Sequence, residues 1–330
     1  MKTCAFTRSL SWAVLAVSIL LSPQLARSQA KFPAGPVQIV VPFAPGAGAD
    51  ALARLLAPEL SRIFGVPVVV ENKPGAAGNI GTEYVIRSKP DGQTLLLSGI
   101  WVAVNRSIVK NMRTDPINQL APVALMARQS LVLVVNPEVK AANVRDLLQL
   151  AKARPNFLTY AHAGAGNQPF LLAELLKMTT DTKITGIPFT GSGPALTAVI
   201  AGHVHMIFLG TSSTLAHIHS GKLRALAVTG RARSFLLPDV PTLSEAGLGA
   251  REFTNGSWWG ISAPEGTPQP VIERLNAALR EVAADPRFRE RAMALGIEAQ
   301  TSTPQEYDQL IRVEAATWQR LIKATGIEAE

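Results

Sequence analysis

Val37-Gln-Ile-Val-Val-Pro-Phe-Ala-Pro-Gly-Ala-Gly-Ala-Asp50, running on through Ala51 to Phe64, decides the fold. Val37, Ile39, Val40 and Val41 are β-branched and suit a buried strand. Pro45, Gly46 and Gly48 break the run and give the turn backbone angles that other residues resist. Asp50 stands where an N-cap belongs, and Leu52, Leu55, Leu56, Leu60, Ile63 and Phe64 then recur at helical spacing. Pro58 removes one backbone donor from that helix and predicts a kink. The stretch reads as strand, Gly-rich turn, helix.

Such a turn leaves free N–H groups at the helix end, where the helix dipole also favours negative charge. A carboxylate or a phosphate would sit well there. No Lys-Ser or Lys-Thr follows the glycines, and Ala51 stands where a dinucleotide fingerprint needs a third glycine. A tight connection that binds nothing would carry the same residues, so the turn alone leaves both readings open.

The N-terminus reads as an export leader. Lys2 and Arg8 form a basic start, Leu10 to Leu21 an apolar core, and Ser28-Gln-Ala30 a small-residue cleavage site. Cleavage is expected after Ala30, giving residues 1–30 as signal peptide; Ala26, with Gln24 three residues before the cut, is a poorer site. The one cysteine, Cys4, precedes the apolar core, so no disulfide, thiol nucleophile or thiolate metal site is expected after cleavage. Lys2, Arg8 and Arg27 lie in the leader, which leaves a formal +5 of the chain's +8. That excess suits an anionic ligand, while the scattered basic residues, without interleaved aromatics, argue against nucleic acid. No later stretch is apolar and long enough to span a bilayer. About 300 residues exceed one ordinary core, so two domains are expected.

The opening design recurs along the chain. Pro67 to Val70 leads to Asn72-Lys-Pro-Gly-Ala-Ala-Gly-Asn79, and Thr94 to Ser98 leads to Gly99-Ile100-Trp101. Leu158 to Tyr160 leads to Ala161-His-Ala-Gly-Ala-Gly-Asn167 and a helix, and Ile184 to Pro188 leads to Thr190-Gly-Ser-Gly-Pro194. Ser192 or Gly193 is expected to cap the helix there. Asn143 with Asp146 opens a further helix, and strands are expected over Val204 to Leu209 and Leu223 to Val228. Alternation of short apolar strands with helices implies parallel α/β sheets, whose ligands bind at the strands' carboxyl ends. Trp258 to Pro264 reads as a strand returning to the first lobe. Thr303-Pro-Gln-Glu306 is a capping box before a long amphipathic helix. The chain would cross between lobes near Ser130 and near Gly256, and two crossings make a hinge.

Reactive side chains are sparse. His203 and His205 would share one strand face, but two histidines fall short of the three or four ligands of a zinc site, so no metal is expected. Ser192 and Ser257 lie outside any Gly-x-Ser-x-Gly elbow, and paired carboxylates are missing around the loops. Backbone donors without reactive side chains describe binding rather than turnover, so the chain reads as no enzyme and needs no cofactor.

Ile39 to Asp50, Val69 to Gly81, Pro90 to Leu97, Gly191 to Thr197, Gly221 to Gly230 and Pro238 to Gly247 together carry a family likeness. The chain resembles the Bug-type periplasmic substrate-binding receptors of tripartite tricarboxylate transporters, over essentially its whole length after the leader. The resemblance implies a two-lobed, type II Venus-flytrap fold of the α/β class with a two-crossing hinge. Residues 31–130 and 254–330 would form lobe 1, and 131–253 lobe 2. It implies a periplasmic monomer that closes on a small carboxylate and hands it to membrane transporter subunits. A co-sensor for a membrane histidine kinase shares every one of these features, and a periplasmic hydrolase is the remaining alternative.

Carried onto this chain, the resemblance places ligand contacts on Phe43, Ala44, Gly46, Ala47, Gly48, Ala49 and Asp50, and on Gly99, Ile100 and Trp101. From the other lobe come His162, Ala163, Gly164, Ala165, Gly166 and Asn167, with Thr190, Gly191 and His205. The family usually has Ser or Thr at positions 162 and 167, often His at 170, Lys or Arg at 190 and Asp at 205. Here stand His162, Asn167, Phe170, Thr190 and His205. An Asp-to-His change beside the cleft would disfavour an amino acid, whose ammonium wants a carboxylate. Trp101, His162 and Phe189 would suit an aromatic acid.

Overall fold

The computed structural model describes residues 32–46, 48–109, 112–164 and 167–325. The predicted leader with its cleavage point at Ala30, and the candidate site residues Ala47, Ala165 and Gly166, lie outside them.

The opening stretch folds as strand β1 (Val37–Val41) and helix α1 (Gly48–Phe64). Leu52, Leu55, Leu56 and Leu60 of α1 are buried, and the exposed Pro58 lies inside one unbroken helical span. β1 runs parallel between β2 (Val68–Asn72) and β3 (Thr94–Gly99). Helices α2 (Asn79–Ile86) and α3 (Ile100–Ile108) follow β2 and β3. The sheet is completed by β4 (Leu120–Gln129), β10 (Ser257–Pro264) and the short β11 (Glu298–Ala299), in the order β11-β4-β10-β3-β1-β2.

The second sheet holds β5 (Leu131–Val135), β6 (Thr159–His162), β7 (Thr185–Pro188), β8 (Met206–Gly210) and β9 (Arg224–Val228). Its order is β7-β6-β8-β5-β9. Helices α4 (Val144–Ala153), α5 (Gln168–Thr180), α6 (Ser192–Ile200) and α7 (Thr211–His219) connect its strands. The alternating pattern implied parallel sheets, but neither sheet is wholly parallel. β10 runs against both β3 and β4, and β5 against β8 and β9. The reason is the route of the chain: it leaves the first sheet along β4 and re-enters along β10, so the two strands must oppose each other.

After β10 come α8 (Gln269–Ala284), α9 (Pro286–Ala294) and α10 (Pro304–Thr325). The capping box closes as expected: the Glu306 N–H donates to Thr303 Oγ1 at 3.2 Å, and the Thr303 N–H to Glu306 Oε2 at 2.8 Å. α10 buries Tyr307, Ile311, Trp318, Leu321 and Ile322 and packs on β4 and α3, which ties the chain's end to the first lobe. Gly260 lets the Tyr307 ring lie across β10, since a Cβ there would sit 2.3 Å from Tyr307 Cζ. The Tyr307 hydroxyl is 2.8 Å from Ser98 Oγ, which is 2.9 Å from Ser262 Oγ. No helix among the described residues is long and apolar enough to cross a membrane.

The lobes join at Ser130 and at Asn255–Gly256, and the two crossings touch. A Cβ on Gly256 would lie 2.3 Å from the Gln129 carbonyl oxygen and 3.4 Å from Ser130 Cα. The Thr211 N–H donates to the Ser130 carbonyl at 3.2 Å, and the Leu131 N–H to Thr229 Oγ1 at 2.9 Å. Gly256→Ala should therefore force the crossings apart and lower unfolding free energy by about 1–3 kcal/mol, read from urea unfolding midpoints. An unchanged midpoint would mean that the crossings separate freely.

Candidate functional site

The carboxyl ends of the parallel strands in both sheets abut the crossings. Gly99, the last residue of β3, pairs with Trp259 of β10, two residues after Ser257 meets Gln129. Gly210, the last residue of β8, pairs with Leu131 just past Ser130. The helices that follow those strand ends, α1 and α3 in lobe 1, α5 and α7 in lobe 2, therefore begin around one hinge. Their first amides and dipoles make that region attractive to an anion. Neither the Phe43–Asp50 loop nor the His162–Asn167 loop carries a lysine or arginine.

The lobe 1 loop is locked from behind. Asp50 is 3% exposed and lies in the first turn of α1, three residues past the position expected of an N-cap. Its Oδ2 accepts from the Gly46 N–H at 3.0 Å and from Arg54 Nε at 2.9 Å. Its Oδ1 accepts from Asn72 Nδ2 at 2.9 Å, and the same amide nitrogen donates to the Phe43 carbonyl at 3.0 Å. Arg54 Nη2 closes the set on Asn72 Oδ1 at 3.1 Å. Asp50 thus folds the loop, with Gly46 free to take its φ of 91°. Burial by itself would raise the Asp50 pKa; the hydrogen bonds from Arg54, Gly46 and Asn72 outweigh it and hold the carboxyl below its ordinary 3.8.

Trp101 packs under this loop. Its ring lies against Gly99 and meets Phe43 edge-on, with centroids 4.7 Å apart, and the side chain is 6% exposed. It supports Phe43 and is no open platform for an aromatic ligand. Ile100 and Ala49 are likewise buried, whereas Ala44 and Gly46 are exposed. The neighbouring turn holds Ala76 and Ala77 at φ of 46° and 53°, at a cost of about 1–2 kcal/mol each. Asn105 Nδ2 grips that turn through the Ala77 carbonyl at 2.9 Å and Asn79 Oδ1 at 2.8 Å.

In lobe 2, Asn167 caps α5, its Oδ1 accepting from the Phe170 N–H at 2.9 Å. The His162 ring lies 4.9 Å from the Phe170 ring, its Nδ1 accepts from the Gly164 N–H at 3.3 Å, and Gly164 has φ of 106°. Thr190 and Gly191 follow β7, the outermost strand, and Gly191 rather than Ser192 or Gly193 occupies the cap position of α6.

His205 is not brought to this group. It precedes β8 instead of ending it, in the turn that also carries His203, so the two do not share a strand face. Its Nδ1 lies 2.8 Å from Thr159 Oγ1, at the start of β6, while the candidate loop follows the end of that strand. Burial, with Arg154 nearby, lowers its pKa below the ordinary 6.5. The inference about ligand class drawn from His205 therefore falls. No three or more His, Cys, Asp or Glu side chains cluster as for a metal ion among the described residues.

Two residues beyond the sequence-derived set matter. Gln129 Nε2 donates to Ser212 Oγ of α7 at 2.9 Å. Its Oε1 lies where Cβ atoms on Gly48 and Gly210 would approach to 3.6 and 2.8 Å, so this one side chain touches helix starts in both lobes. Gln168, the first residue of α5, donates through Nε2 to the carbonyls of Asn255 at 3.1 Å and Gly256 at 3.0 Å. A polar Gln129 between the apolar strands Leu120–Met126 and Leu131–Val135 was the available signal for the first. Nothing in the sequence marked the second.

Two mixed sheets joined by two touching crossings, with helix starts gathered at the joint, define a two-lobed solute-binding protein. The chain belongs to the tripartite tricarboxylate transporter family receptors, whose family model matches residues 52–327. It is 37% identical to protein BugT of Bordetella pertussis over 297 residues, 89% of this chain and 90% of that protein. The structure of R. palustris Rpa4515 with adipate is similar at a TM-score of 0.82 and 32% identity, covering 90% of this chain and 99% of that one. MatC from Rhodopseudomonas palustris, with bound malate, is similar at a TM-score of 0.78 and 30% identity, covering 88% and 100%.

The depressed Asp50 pKa fixes the sign of a pH effect. The carboxylate stabilises the fold above its ordinary 3.8, and that contribution is lost as pH falls through the lower folded value. Asp50→Asn should cost about 1–3 kcal/mol at neutral pH and flatten the loss of stability below about pH 4. Urea unfolding of both proteins across that range checks it; parallel pH curves would refute the lock.

Proposed function

We propose that this protein is a periplasmic receptor that closes its two lobes on a small carboxylate and delivers it to membrane subunits of a tripartite tricarboxylate-type transporter. The observation that carries the reading is the meeting of cation-free loops and helix starts from both lobes at one hinge. A carboxylate held there would be gripped by backbone N–H groups and helix dipoles, as charge-assisted hydrogen bonds. The family membership supports the receptor role. Adipate and malate, bound in two similar proteins, make aliphatic dicarboxylates the first candidates. Two observations narrow the ligand further. Asp50 spends its carboxylate on the loop, leaving no acidic side chain of either loop for an ammonium group. Trp101 is covered, which removes the lobe 1 platform an aromatic acid would need.

Thermal-shift measurements with adipate, malate, benzoate and aspartate test this. A ligand at a hundredfold excess over its Kd should stabilise by about 2.7 kcal/mol and raise Tm by several degrees. Adipate or malate is expected to do so, and aspartate and benzoate are not. A flat response to all four would overturn the carboxylate reading, and a response to aspartate alone would overturn the ligand class.

A further inference from the structure

Glu314 presents a buried carboxylate outside both candidate ligand loops. It lies on α10, 3% exposed, and accepts from Trp318 Nε1 at 2.8 Å and from Asn255 Nδ2 at 2.5 Å. Arg128, at the end of β4, senses its charge. Taking a carboxylate out of water is costly, and Tyr307, Ile311 and Trp318 already bury the helix face. The group it holds in the other lobe's direction is Asn255, in the second crossing. The backbone carbonyl of that same Asn255, with that of Gly256, accepts from Gln168 Nε2 at the first position of α5.

Gln168 repeats the pattern. It is 2% exposed, and its Oε1 has no hydrogen-bond partner among the described residues. A methionine would fill the space without a stranded carbonyl, so packing does not account for the glutamine. Its nitrogen does: the two carbonyls it engages belong to the hinge, and the helix it starts carries the candidate ligand loop.

We infer that Glu314 and Gln168 are positioning residues, which clamp the second crossing from opposite lobes through Asn255 and so set the pose of the α5 N-terminus against lobe 1. This rests on the receptor reading, since a pose matters only if the lobes close on something. The clamp makes the crossing a braced joint instead of a free linker. Its arms are a side-chain bond from lobe 1 to Asn255 and two bonds from lobe 2 to the backbone carbonyls of Asn255 and Gly256. Ligand capture then starts from a narrow set of lobe orientations, with less ordering left for binding to impose.

The test needs no ligand. Spin labels at Lys89→Cys in lobe 1 and Lys222→Cys in lobe 2, both exposed positions, report the interlobe distance in the processed protein, whose predicted leader carries off Cys4. The unaltered hinge should give one narrow distance distribution. Gln168→Met, which keeps volume and loses the donor, and Asn255→Ala, which keeps the backbone carbonyl and loses the arm to Glu314, should each broaden it about twofold. Broadening in both variants supports the clamp, as does broadening in Asn255→Ala alone should Gln168→Met fail to fold. Unchanged width in Asn255→Ala, with or without a lower Tm, overturns it and leaves a merely structural role. A protein that binds none of the four test acids would sink the receptor reading and leave this distance result standing.

Discussion

The carbonyl of Gln129 and the α-carbon of Gly256 press together where two strands change lobes, and the rest of the molecule is arranged around that contact. Because the crossings are adjacent, β4 and β10 must lie side by side and run oppositely in the first sheet. Because β5 starts one residue beyond β4, its neighbour β8 must end at the joint, and α7 must begin there. Two chains pinned at one place give the lobes a common edge. Each parallel strand that ends on that edge sends its following helix off from the joint. The gathering of helix starts at the joint is thus a consequence of connectivity, before any side chain is chosen.

Side chains then refine what connectivity supplies. Asp50 is the clearest case, since it puts a buried negative charge in the first turn of α1. The charge is absorbed by three partners, Gly46, Asn72 and Arg54, and the result is a fixed loop whose remaining amides are presented in one geometry. Preorganised donors lose little on binding, whereas a flexible lysine would bring charge at the expense of ordering a long side chain. His162 and Asn167 fix the lobe 2 loop in the same way, through a bond within the loop and a helix cap.

Much of this was legible in the residues, and the failures have physical causes. Periodicity found β1, α1, β10 and α10, because each buries one continuous apolar face. Glycine-rich turns located both loops, because backbone freedom there is a local property. Strand direction was not local: only the path between lobes shows that β5 and β10 run against their neighbours. His205 was misplaced because the resemblance set it beside the cleft, although a strand over Val204 to Leu209 already puts it at the strand's start, away from the carboxyl end where the loops gather. An aromatic after a glycine at a strand end reads as ligand platform or, more often, as packing, and Trp101 is buried under Phe43.

The polar residues that escaped the sequence reading, Gln129 and Gln168, share one property with Glu314: each is buried and each makes a hydrogen bond to a neighbouring element at the joint. Apolar residues of similar size would pack at these positions without desolvating an amide or a carboxylate, so net stability is a weak reason for them. What apolar packing cannot do is choose one orientation, since a dispersion contact tolerates sliding that a hydrogen bond of fixed direction does not. A hinge is where sliding matters most, because a small error at the joint becomes a large displacement at the far end of a lobe. Buried polar bonds at the crossings therefore fix the direction in which the two sheets are joined, which apolar contact alone would leave loose.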